Sequence, residues 1–245
     1  MISKNLTNQS SINRRLFIYL PGMLTPPTSQ SPIFNALSLM FENDTHAICD
    51  IGMMGPIGPL HAAEKTKEYV QKRIGEGSFD EVVFVGESWG ADIAIMVSEQ
   101  LEHPSIAIAS ESSASGFHLE DEEWRARMNE GWLRWSPWFK RLGPIGVRAM
   151  DNNWGWLGPQ ETWRRLNNLH TIEGRVVIIS GFGGQQPPFE TTMKSSDIYA
   201  IRAKSNFQCF NFKGGGHSVL NKQSEKISGL ILAILNPIGN VPASH

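Results

Sequence analysis

Cysteine is scarce in this 245-residue chain: Cys49 and Cys209 are the whole complement, too few for a disulfide framework. Each falls in a short apolar run, which reads as a buried free thiol in a strand. The seven histidines show no HxxxH spacing and the cysteines no CxxC, which argues against a dedicated metal site. No apolar run approaches the roughly 20 residues that a membrane helix needs, and the first one, residues 16–24, contains Pro21 and Gly22. Residues 1–13 are polar and lack the apolar stretch of a secretory signal, so a soluble, cytoplasmic protein is expected. An excess of one charge is lacking too. Lys and Arg number 22 against 24 Asp and Glu, a net −2, and the cations are scattered rather than gathered in the basic stripe that nucleic acid would require. Neither nucleic acid nor a membrane is expected as a partner, and nothing in the pattern sets an oligomeric state.

What is present is an alternation. Residues 15–20, 46–51, 81–85 and 105–109 are short apolar runs that read as buried strands. Between them, residues 32–41, 60–74 and 91–101 carry helical periodicity, with Ile33, Phe34, Leu37, Met40 and Phe41 on one face of the first. The rhythm resumes late, with strands at 175–180 and 208–212 and helices at 195–204 and 223–235. Strands alternating with helices predict an α/β fold with a doubly wound, mostly parallel sheet.

Residues 115–172 differ. They hold no strand-like run, several helical stretches, and seven of the eight tryptophans. They read as a helical cap inserted into the sheet domain. The expected organisation is therefore a core of residues 14–114 and 173–237, a Trp-rich cap of residues 115–172, and flexible ends at 1–13 and 238–245.

The segment Gly86-Glu87-Ser88-Trp89-Gly90 matches G-x-S-x-G, a weak pattern by itself. Its surroundings make it specific: a buried strand enters at Val82–Val85 and an apolar helix leaves at Ala91. Such a turn is so tight that the serine takes strained backbone angles, and flanking glycines relieve the clashes. The hydroxyl is then exposed beside a helix N-terminus, where N–H groups favour developing negative charge. On these residues the chain resembles the α/β-hydrolase family over nearly its whole length.

The resemblance implies roles for further residues. The oxyanion hole would be built from the N–H groups of Trp89, just after the nucleophile, and Met23, after Leu20-Pro21-Gly22. Pro21 stands where many relatives carry histidine, but the donor is a backbone group and survives the change. The general base would be His217, past the last strand and behind Gly214, Gly215 and Gly216. The acid is less direct. Most relatives place it after the strand corresponding to residues 175–180, where this chain reads Gly-Phe-Gly-Gly-Gln-Gln-Pro-Pro. Thioesterase domains of the family often carry it at the end of the strand after the nucleophile helix, the place of Glu111. Glu190 is the alternative, and Asp197 or no acid at all remain open.

A Trp-dense cap near Met53 and Met54 would line an apolar cavity. Trp132, Trp135 and Met53 are the candidate substrate contacts, although tryptophans at helical spacing also serve to pack a cap on its sheet. The expected activity is a serine hydrolase that cleaves a carboxylic ester or thioester of an apolar or aromatic acyl group through an acyl-enzyme. Its substrate would be a small acyl compound, free or carrier-bound, and no cofactor is implied. An acyltransferase, a lyase or perhydrolase, and a non-catalytic binder on the same fold are the rival readings.

Overall fold

The computed structural model describes residues 14–22, 31–51, 58–112, 120–124, 126, 157–171, 175–182, 207–214 and 216–236. The helix expected at 195–204 and both chain ends lie outside them. Six strands form one sheet: β1 (Arg15–Leu20), β2 (Thr45–Ile48), β3 (Glu81–Glu87), β4 (Ser105–Ser110), β5 (Arg175–Phe182) and β6 (Phe207–Lys213). Their spatial order is β2-β1-β3-β4-β5-β6, and every pairing is parallel. Helices α1 (Pro32–Met40), α2 (Pro59–Glu76), α3 (Trp89–Gln100) and α4 (Pro159–Thr171) precede β2, β3, β4 and β5; α5 (Val219–Lys222) and α6 (Ser224–Leu235) follow β6.

Both faces of the sheet are covered, which is why its strands read as unbroken apolar runs rather than as alternating patterns. Strand geometry sends neighbouring side chains to opposite faces. Leu16, Ile18, Val82, Phe84, Ala107 and Ala109 join the core beneath α2, α3 and α4. Phe17, Tyr19, Val83, Val85, Ile106 and Ile108 join the core beneath α1 and α6. The alanines of β4 leave room for α3, whose first ten residues are all buried. A helix enclosed on every side must be apolar all round, as residues 93–97 are.

The helix α4 lies inside the segment expected as a cap. It packs on α3, buries Leu166 and Leu169 in the sheet core, and is tied there by an ion pair of 2.6 Å between Arg165 and Glu99. It therefore covers the sheet. Ahead of it, Asp121 accepts the Gln160 N–H at 2.8 Å, so residues 120–124 meet the N-terminus of α4. Trp124 is buried in the sheet core.

At the amino ends of the strands, the buried Arg15 guanidinium donates to the Leu235 carbonyl at 2.9 Å and to Asn236 Oδ1 at 2.8 Å. It faces Asp44 at 3.8 Å and Glu81 at 3.6 Å. That cluster closes the end of the sheet opposite to Ser88. Cys49 and Cys209 are both buried.

Candidate active site

The strand order reverses between β1 and β3, since α1 carries the chain outward to β2 and α2 carries it back across. In open parallel sheets this switch point, at the carboxyl ends of the strands, is where ligands bind. The segments leaving these two strands are Pro21-Gly22 and Ser88-Trp89.

Ser88 has φ 55 and ψ −122, a combination that L-residues avoid because of steric crowding at Cβ. The flanking glycines explain how it is held. A Cβ on Gly86 would lie 2.6 Å from Ala91 Cα, and one on Gly90 would press on the Leu20 carbonyl oxygen and lie 2.6 Å from that of Pro21. Only glycine permits α3 to start so close to β3 and to the segment leaving β1. The Ser88 N–H donates to the Ser110 carbonyl at 2.8 Å, and the Ser88 carbonyl accepts from Ala91 N–H at 2.9 Å. The helix begins at Trp89, so its first N–H groups have no intrahelical acceptor and can receive negative charge.

Glu111 follows β4 directly and also has a positive φ, 54. Its N–H donates to the Ile179 carbonyl of β5 at 2.9 Å. The next residue, Ser112, donates its hydroxyl to Asp92 Oδ1 at 2.7 Å, with both side chains buried. The backbone around Glu111 is thus fixed from β5 on one side and from the first turn of α3 on the other. Glu111 itself is only 6% exposed, in keeping with a group aimed inward rather than a loop charge in water.

His217 lies in a single turn of 3₁₀ helix, Gly216–Ser218, that runs into α5. The turn packs beside β5, the strand to which Glu111 is bonded. Gly214 and Gly216 have φ 86 and 53, so the backbone uses the freedom that glycine alone gives cheaply. Ser88, Glu111 and the turn of His217 therefore share the carboxyl edge of β3, β4 and β5. Met23, Met53, Trp132, Trp135, Glu190 and Asp197 lie outside the described residues.

Two carboxyls escaped the sequence reading. Asp92 sits within a segment that reads as purely apolar helix, and it is buried. Glu87 is inside the motif itself. Its Oε2 accepts from Asn221 Nδ2 at 3.2 Å, and burial pushes its pKa up to about 7 despite that bond. A carboxylate ending an apolar strand was the available signal. Among the described residues, no group of three or more His, Cys, Asp or Glu side chains is placed to hold a metal ion, and no helix is long and apolar enough to cross a membrane.

No protein-family model matches the chain, and no curated protein matches it by sequence. Solved structures match along nearly its full length. A lipase-esterase related protein from Clostridium acetobutylicum is similar with a TM-score of 0.58 and 14% identity, over 90% of this chain and 94% of that one. MenH from S. aureus is similar with a TM-score of 0.54 and 13% identity, over 92% and 94% of the two chains. The thioesterase domain from the curacin biosynthetic pathway gives a TM-score of 0.51 and 12% identity, over 90% and 92%. At such identities the likeness is one of fold.

Proposed function

We propose that this chain, which has the α/β-hydrolase fold, is a serine hydrolase cleaving a carboxylic ester or thioester of an apolar or aromatic acyl group. The observation that carries the reading is Ser88 itself: a serine at φ 55 between two glycines that no larger residue could replace, at the switch point of a parallel sheet. Strain of this kind persists only where the surroundings overdetermine it, and it gathers at active sites.

In the proposed reaction Ser88 Oγ attacks the acyl carbonyl while His217 takes its proton. The N–H groups of Trp89 and Met23 receive the oxyanion. Collapse of the tetrahedral intermediate breaks the bond to the leaving alcohol or thiol, which departs with the proton from His217. Water, deprotonated by His217, then attacks the acyl-enzyme and frees the acid and Ser88. Glu111 orients the imidazole and stabilises its charged form. The tie of Glu111 to β5, beside which the turn of His217 packs, favours this carboxyl over Glu190. Trp132, Trp135 and Met53 are proposed to line the acyl pocket of a small substrate, free or carrier-bound, in a cytoplasmic enzyme. Thioesterase and esterase are both named among the structural neighbours, so both leaving groups belong in the test.

A fluorophosphonate probe should label Ser88, with labelling abolished in Ser88→Ala and slowed in His217→Ala. A panel of p-nitrophenyl esters and acyl-CoA analogues then separates ester from thioester preference, and added alcohols or amines reveal acyl transfer. Labelling indifferent to His217→Ala would overturn the mechanism, and no labelling at all would overturn the serine-hydrolase reading.

A further inference from the structure

The proposed mechanism leaves unused the carboxyl nearest to the nucleophile in the chain. Glu87 ends β3 one residue before Ser88. Following Val83 and Val85, its side chain leaves the sheet on the face covered by α1 and α6. There Asn221 of α5 donates its Nδ2 to Glu87 Oε2 at 3.2 Å. On its other side, Asn221 Oδ1 accepts the Ser31 hydroxyl at 2.7 Å. Ser31 stands at the N-cap of α1, where a serine hydroxyl ordinarily bonds its own helix, yet it makes no such bond. One oriented amide thus joins the strand of the nucleophile, the start of α1 and the short helix that continues the turn of His217.

We propose that Glu87, acting through Asn221 and Ser31, is a positioning residue that sets the turn carrying His217 relative to Ser88. The proposal rests on the assignment of Ser88 and His217 as nucleophile and base. The need for such a device lies in the glycines. Gly214 and Gly216 have positive φ, and Gly214 is in open space, so this backbone alone leaves the turn adjustable. Asn221, four residues beyond His217, is held at a buried carboxyl oxygen, and that bond fixes the orientation of its amide.

The ionisable groups around Glu87 are few. Within its described residues α1 has none, α5 has only the exposed Lys222, and the first turn of α6 has the exposed Glu225 and Lys226. The neighbouring strands bring Tyr19 of β1 and Glu111 beyond β4, and the sequence of the turn Gly216–Ser218 contains His217. With Glu87 held up to about 7 by burial, its ionisation falls in the same range as that of an ordinary imidazole.

The test is inactivation of the full chain by an alkyl fluorophosphonate, with the maximal rate and the half-saturating concentration measured separately across neutral pH. Glu87→Ala and Asn221→Ala should each lower the maximal rate about tenfold, with half-saturation changed by less than about twofold. Glu87→Gln keeps an acceptor at the same reach and should restore the rate to within about threefold. It should also remove the ionisation of Glu87 from the pH profile of the rate. Thermal melting identifies the variants that fold. If Glu87→Ala does not, Ser31→Ala breaks the outer link alone and should lower the rate about threefold. Folded variants with the natural rate and pH profile would overturn the proposal. A natural chain that the probe never labels would instead overturn the serine-hydrolase reading, and the role of the network with it.

Discussion

Ser88 and Glu111 stand at the carboxyl ends of adjacent strands, and each holds a non-glycine backbone in the left-handed half of φ space, at 55 and 54. They are joined through one residue, since the Ser88 N–H donates to the carbonyl of Ser110, whose successor is Glu111. Strain of this sort costs about 1–3 kcal/mol per residue. For Ser88 it has a direct consequence. Ser88→Gly removes the crowded Cβ while raising unfolded-state entropy by up to about 1 kcal/mol, so the net gain should be about 1 kcal/mol. In a chain of this size that raises Tm by roughly 2–4 °C. The variant should melt later than the natural chain and resist labelling completely.

Glu111 gives a kinetic prediction. If its carboxylate orients and stabilises the imidazolium, Glu111→Gln preserves shape but loses the charge, and kcat should fall by about 10²–10⁴ with little change in KM. Ser112→Ala removes the hydroxyl that Asp92 holds but leaves the carboxylate, so its loss should be smaller, about tenfold. Steady-state kinetics on the best p-nitrophenyl ester checks both. A Glu111→Gln enzyme with unchanged kcat would exclude Glu111 as the acid, and Glu190→Gln is then the next variant to measure.

How far this site was legible depends on the kind of interaction that builds each part. The sheet and its helices were readable because burial on both faces imposes long apolar runs, and the structure extends several of them by only a residue or two, as with β3 reaching Glu87. Ser88 was readable because a tight elbow demands glycine on both sides. Asp92 was not, because a lone carboxylate in an apolar helix becomes understandable only once Ser112 is seen opposite it. The Ser31–Asn221–Glu87 chain was hidden for the same reason: its members lie 190 and 134 positions apart, and long-range polar pairs leave no periodic trace. The expected cap of residues 115–172 was hard to tell from the core at α4, because buried leucines such as Leu166 and Leu169 show the same helical spacing on a cap as on a sheet.

Glu87 makes stability depend on pH in a defined direction. Its pKa rises from the ordinary value of 4.5 to about 7 in the folded chain, mainly through burial. Between these values the folded state holds a proton that the unfolded state has released. Stability is therefore greatest below about pH 4.5 as far as this group is concerned, falls as pH rises toward 7, and is level above. At 1.36 kcal/mol per unit the loss is at most about 3 kcal/mol. Glu87→Gln cannot lose the proton, so its Tm should match the natural chain near pH 5 and exceed it at pH 8. Melting curves at both values decide this; equal Tm at pH 8 would show that the folded chain holds the carboxylate at little cost.

Arg15 provides the counterpart at the far end of the sheet. Its buried guanidinium bonds the Leu235 carbonyl and Asn236 and faces two carboxylates. Arg15→Met fills much of the same volume but withdraws one cation from those acceptors. Removing one member of a buried charge cluster typically costs about 3–5 kcal/mol. The lower figure is expected here, because Arg175 still donates to Glu81 at 3.1 Å and the backbone N–H of Arg15 still donates to Asp44 at 2.8 Å. Denaturant unfolding should therefore register a loss of about 3 kcal/mol. The cluster lies at the amino ends of the strands and Ser88 beyond their carboxyl ends, so labelling of Ser88 well below the melting point should proceed at the natural rate. A large fall in labelling, with the fold intact, would mean that the sheet transmits the disturbance along β1 to the segment against which Gly90 packs.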